Sequence, residues 1–185
     1  MSIAQISTQY AKALLTYSIE QNQAAEVYSI TKFILKVYEE VPHLKDILHN
    51  PDIDNGEKMK ALKTASGENS ASSLMKIFEL ILKNHRELNI QSILLRFIEL
   101  YRDHFDIRHV KYITAMELNE GVDTRLREKL KAKLGGTIEL ETEIDPNIIG
   151  GYILQIEDYR WDASVKGQLQ SIKKNLSENK VPQLL

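Results

Sequence analysis

The sequence predicts an α+β protein in two parts: an N-terminal six-helix bundle over residues 1–105, then a small C-terminal α/β domain over residues 106–185 with a short mixed sheet. Three observations carry this. Apolar residues recur at three- and four-residue spacing through the first hundred positions, the helical period. Beyond Phe105 the period changes to two, the strand period. Proline and glycine sit between the periodic runs, so the connections are short, as a bundle requires.

The elements follow in order. Ser2 and Gln5 form a capping box ahead of Ile3, Ile6, Tyr10, Ala13, Leu14 and Tyr17, the expected core stripe of the first helix. Val27, Ile30, Ile34, Val37 and Val41 repeat the pattern until Pro42 stops it. Leu44, Ile47 and Leu48 mark a short helix that ends at Asn50-Pro51, and Asp54 with Glu57 caps a fourth, which carries Met59 and Leu62 to Gly67. Leu74, Ile77, Phe78, Ile81 and Leu82 define the fifth; Ile90, Ile93, Leu94, Phe97, Ile98, Tyr101 and Phe105 the sixth. Then Val110–Leu118 alternates as a strand. Leu126, Leu130 and Leu134 give a helix closed by Gly135-Gly136, and Ile138, Leu140, Thr142 and Ile144 alternate with Glu139, Glu141 and Glu143. Tyr152–Glu157 is a third strand, with a tight return through Asp158-Tyr159-Arg160, and Val165, Leu169, Ile172 and Leu176 stripe a last helix.

Composition narrows the function. Of 185 residues, 43% are hydrophobic and 27% charged, which is ordinary globular usage. Each part holds 12 basic against 13 acidic residues, so neither offers the basic face that nucleic-acid binding needs. With no cysteine there is no disulfide, thiolate metal site or Cys nucleophile, in keeping with a reducing compartment. The opening MSIAQISTQYAK has no signal or transit pattern, and no apolar run approaches the roughly 20 residues of a spanning helix, so contact with a membrane is expected only through a complex.

Candidate chemistry is thin. Gly150-Gly151 precedes a strand, where a phosphate loop would precede a helix, so a bulge or close backbone approach is the better reading. Asp162 and Ser164 flank the last helix, where the Asp can cap or accept strand-end amides. A Ser nucleophile needs a His, and none follows His109. His43, His49, His85, His104 and His109 include no i, i+4 pair; His104 and His109 lie about 500° apart on a helix and share no face. Glu139, Glu141 and Glu143 read as a solvated strand face rather than a metal cluster. No cofactor or metal site is expected. One feature exceeds an ordinary bundle: the first helix adds Ala4, Ala11 and Leu15 to its stripe, and the fifth adds Met75 and Leu80. Two helices apolar on more than one side are either central in the bundle or the walls of a groove for a partner helix.

Several stretches together resemble the delta subunit of F-type ATP synthase, the bacterial counterpart of the mitochondrial oligomycin-sensitivity-conferring protein. They are YAKAL (Tyr10–Leu14), LHNPDI (Leu48–Ile53) with Lys58 and Lys60 after it, LKNHREL (Leu82–Leu88) and ITAMEL (Ile113–Leu118). The most specific is Asp145, Pro146, Ile149, Gly150 and Gly151, then a strand and a return to Asp162, Ser164 and Val165. The chain departs from the family's pattern at Gln9, usually Arg, at Ala163, usually Gly, and in a hairpin without glycine. The resemblance implies a non-catalytic stator subunit in the peripheral stalk, on the cytoplasmic side of the bacterial inner membrane, that holds the catalytic head against rotor torque. Its helical domain would bind the N-terminal helix of an alpha subunit, and its C-terminal part the C-terminal region of the b subunit. By the same resemblance Tyr10, Ala13, Leu14, Tyr17, Lys76, Leu80 and Asn84 are the groove positions, with Asp145, Pro146, Gly150, Gly151, Asp162 and Ser164 a structural motif. From the residues alone, a small hydrolase-like enzyme around Asp145, Asp162 and Ser164, or a generic helical adaptor, stays open.

Overall fold

A computed structural model describes residues 3–67, 71–116, 120–156 and 159–178. Ser2 of the expected capping box, and the ends of the first strand and of the hairpin turn at 117–119 and 157–158, lie outside them. The chain divides into two compact units, Met1–His104 and Phe105–Leu185.

The first unit holds α1 (Ile3–Glu20), α2 (Ala24–Glu40), α3 (Pro42–His49), α4 (Asn55–Ser66), α5 (Ser72–Lys83) and α6 (Ile90–His104), with a 3-10 turn at Glu87–Asn89. Pro42 does more than end α2: it opens α3, where its missing N–H costs nothing. The Asp54 carboxylate caps α4 by accepting from the Gly56 and Glu57 amides at 2.6 and 3.1 Å. α5 has no cap of its own. Gln23, in the α1–α2 turn, supplies one: its Oε1 accepts from the Ser73 amide at 3.2 Å and the Ser73 hydroxyl at 2.9 Å. The whole expected stripes of α5 (Leu74 to Leu82) and of α6 from Ile90 to Tyr101 are buried.

Two expectations need correction. α1 buries Ile6, Ser7, Ala11, Leu14 and Ser18, while Ile3 and Ala13 are exposed and Tyr10 and Tyr17 half-buried. α2 buries Ala24, Val27, Tyr28, Thr31, Ile34, Leu35 and Tyr38, leaving Ile30 and Val37 at its margin and Val41 outside the helix. The central faces are therefore built from small residues, which bring helices close, and from tyrosines with a packed partner. The Tyr28 ring stacks on Tyr101 at 4.2 Å and its hydroxyl accepts from Arg102 Nε at 2.9 Å. Lys58 is buried too, and donates to Glu87 Oε1 at 2.8 Å, tying α4 to the 3-10 turn.

The second unit contains β1 (Ile107–Thr114), α7 (Glu120–Leu134), β2 (Thr137–Ile144), a 3-10 turn Pro146–Ile148, β3 (Tyr152–Ile156), β4 (Tyr159–Asp162) and α8 (Val165–Glu178). The sheet order is β2-β1-β3-β4. α7 is the crossover between the parallel pair β1 and β2, and the other neighbours are antiparallel, so the sheet is mixed. β1 begins three residues earlier than Val110, the expected start, and ends at Thr114, leaving Met116 exposed outside it. The expected return is itself the fourth strand: Tyr159 and Trp161 alternate with Arg160 and Asp162, but four residues are too short a run to announce it. Period-two alternation and the strand register put Val110, Tyr112 and Thr114 on one face with Leu140, Leu154 and Trp161. On the other face His109 meets Glu141 at 2.9 Å and Lys111 meets Glu143 at 2.5 Å, so two of the three glutamates of β2 pair with bases of β1. These pairs hold the Lys111 ammonium above its usual range, through the Glu143 hydrogen bond first.

Candidate partner-docking surfaces

Helices α1 and α5 run antiparallel and are joined by two side-chain rungs. Asn84 Nδ2 donates to the Tyr10 hydroxyl at 2.9 Å, and Lys76 Nζ to the Tyr17 hydroxyl at 2.6 Å. The ammonium also lies 5.2 Å from the Tyr17 ring centre, within cation–π range. Seven residues separate the tyrosines and eight separate their partners, two helical turns each, so the rungs fall in register. Between them, Ala13 and Leu80 are exposed, Leu80 by 43%. Below the seam α5 buries Leu74, Ile77, Phe78, Ile81 and Leu82, so Leu80 is surplus to the core.

Six of the seven expected groove residues thus stand together at the surface of one helix pair. The seventh does not: Leu14 is fully buried, supports the seam from beneath, and cannot touch a partner. Sequence reasoning missed Gln23, which holds the α5 N-terminus at the α1–α2 turn. No local signal gives it away, since Ser72-Ser73 read as ordinary capping residues and the partner lies fifty residues off.

In the second unit the six motif residues form a structural clasp. Asp145 Oδ1 accepts from the Asn147 amide at 2.9 Å and its Nδ2 at 2.8 Å, capping the Pro146–Ile148 turn. Those hydrogen bonds, backbone first, hold its carboxyl below the usual range. The Val165 amide donates to the Gly150 carbonyl at 3.0 Å and the Ala163 amide to the Tyr152 carbonyl at 2.9 Å, stitching the glycines to the start of α8. Gly151 has φ +75°, and a Cβ there would collide with the Ala163 carbonyl oxygen. Asp162 Oδ1 accepts from the Ser164 hydroxyl at 2.6 Å and its amide at 2.9 Å, which lowers the carboxyl's pKa, while Ser164 Oγ accepts from the Gly167 amide at 2.9 Å. Ser164 is therefore the buried N-cap of α8, its hydroxyl both donating and accepting, and is not presented to a substrate. Ala163 stays out of the left-handed region, so the glycine usual there is dispensable.

The last helix carries a different surface. Of its expected stripe, Val165, Leu169 and Ile172 are 40%, 55% and 55% exposed, and the Leu176 side chain lies outside the described residues. Trp161 and Tyr159 on β4 are also exposed, as are Ile144 and Ile149. This is far more large apolar surface than a small unit needs to leave open.

A family model described as ATP synthase delta (OSCP) subunit matches residues 6–176. The chain belongs to the ATP synthase delta (OSCP) subunit family. Among curated relatives, the ATP synthase subunit delta of Parabacteroides distasonis is 34% identical over 180 residues, spanning 97% of this chain and all of its own length. That of Phocaeicola vulgatus is 36% identical over 174 residues and 94% of each chain. Among solved structures, a chain of the Toxoplasma gondii mitochondrial ATP synthase hexamer superposes with a TM-score of 0.69 at 15% identity, covering 92% of this chain and 97% of its own, which is a likeness of fold. As a member of the delta (OSCP) family the chain is a non-catalytic subunit of ATP synthase, in its peripheral stalk. Among the described residues, no helix is long and apolar enough to cross a membrane.

Proposed function

We propose that the chain links the catalytic head of an F-type ATP synthase to the b-subunit stalk, and that it does so with two surfaces on two units. The first is the α1/α5 seam on a six-helix bundle, which receives the amphipathic N-terminal helix of an alpha subunit. The observation that carries this reading is the pair of in-register rungs, Tyr10–Asn84 and Tyr17–Lys76, with Leu80 exposed between them. A helix laid along the seam buries Leu80 and Ala13 at its centre, and the rungs supply polar atoms at its margins, the usual division between anchors and rim. The second is the exposed stripe of α8 with the aromatics of β4, which fits the C-terminal region of b. Held at both surfaces, the chain resists the torque that rotation exerts on the head, at the cytoplasmic side of the bacterial inner membrane. It needs no cofactor for this task.

Leu80→Glu tests the first surface. A charge at the centre of a desolvated contact is costly, whereas the same side chain is partly in water in the free protein. Titration with a synthetic alpha-subunit N-terminal peptide is expected to show binding at least about tenfold weaker, or about 1.4 kcal/mol, with the melting temperature of the free protein unchanged. A melting loss like that of a core truncation would make Leu80 a core residue and remove the seam from consideration.

A further inference from the structure

A second groove lies on the other flank of α5, between α5 and α4, with a volume near 680 Å³. Its apolar lining includes Met59 and Met75, whose unbranched side chains adapt to the shape of an incoming group. Its charged lining is Lys63, Lys76, Glu79 and Lys83, three cations against one anion in a protein whose net charge is −2. Lys63 and Lys83 are exposed and have no ion-pair partner among the described residues. α4 and α5 run antiparallel here, since Asn55 Nδ2 donates to the Leu82 carbonyl at 3.4 Å. Each helix has 12 residues, about 18 Å of length. An elongated trough with an adaptable apolar lining and cations at both ends matches an amphipathic helix of two to three turns with acidic flanks.

The geometry points to the α4/α5 groove as a docking site for an acidic amphipathic helix, bordering the α1/α5 seam at Lys76 but lying on the α4 side of it. Lys63 and Lys83 set the sign of the accepted partner, and Met59 and Met75 take its apolar side chains. The site does not depend on the assignment of the seam, and either can fail alone.

The test uses the full chain and two labelled 18-residue helical peptides, each with Leu at i, i+3, i+4 and i+7, one flanked by Glu and the other by Lys. The Glu peptide is expected to bind with an affinity that falls steeply with salt, and the Lys peptide at least tenfold more weakly. Lys63→Glu with Lys83→Glu, both at exposed positions, is expected to weaken the Glu peptide at least tenfold, while Ala13→Glu, on the α1 side of the seam, leaves it unchanged. Methyl-labelled methionine NMR adds a positional readout: the Met59 and Met75 signals shift on binding and that of Met116 does not. Absence of binding, equal binding of the two peptides, loss of binding in Ala13→Glu, or unmoved Met59 and Met75 signals would each overturn the site.

Discussion

Ile149 holds φ 69° and ψ −40°, a conformation that a β-branched residue reaches only under strain, and its side chain is mostly exposed. Little burial compensates for that strain, so Ile149→Gly is expected to raise the urea midpoint of the second unit, by about 1 kcal/mol in stability. Two positions on, the sign reverses. Gly151→Val places a Cβ against the Ala163 carbonyl at a positive φ and is expected to cost roughly 1–3 kcal/mol. If urea unfolding ranked the two variants the other way, the clasp would not be the constraint described. The sequence announced that a glycine was needed here but not which one. Gly150 has room for a side chain, its Cβ meeting only Val165 Cγ2 at 3.4 Å. What singles out Gly151 is a backbone twelve residues away, and a local pattern carries no information about it.

At the scale of elements, the Lys58–Glu87 pair fastens α4 to the turn before α6. Burial alone raises the Glu87 carboxyl, but the hydrogen bond and charge of Lys58 outweigh it, and the net pKa lies below the usual carboxylate value. Its contribution to stability is therefore present above the unfolded carboxylate pKa and lost as pH falls through the lower folded one. Lys58→Met leaves a carboxylate with little access to water and without its ammonium partner, and is expected to cost about 3 kcal/mol at neutral pH. Adding Glu87→Leu should recover most of that in chemical denaturation; equal losses in the single and double variants would assign the effect to packing. The same scale shows what periodicity can read. The α5 and α6 stripes were legible because their core residues are large and apolar. The α1 and α2 faces were not, because Ser7, Ala11, Ser18 and Thr31 do the close packing while Tyr10, Tyr17 and Ile30 advertise the margin. α8 misled in the opposite direction. An exposed stripe and a core stripe have the same spacing, and only burial tells them apart.

At the scale of the whole molecule, two units with separate cores should respond separately. Calorimetry is expected to show Lys58→Met moving one thermal transition and Gly151→Val the other; a single transition displaced by both would mean that the units fold as one. Strand direction in the second unit has a further consequence, which concerns force. β4 is antiparallel to β3, and β3 to β1, so β4 runs the same way as β1. A load entering from the first unit pulls on the leading end of β1, and one held through α8 pulls on the trailing end of β4. Those ends lie at opposite ends of the strands, with β3 between β1 and β4, so tension slides the strands past one another and strains the ladder hydrogen bonds together, where peeling would break them one at a time. Stretched between residue 105 and α8 in an optical trap, the unit should rupture in one high-force step, and at lower force when pulled through the two ends of the β3–β4 hairpin. The sheet is a lap joint, strongest along the line that joins the leading end of β1 to the trailing end of β4.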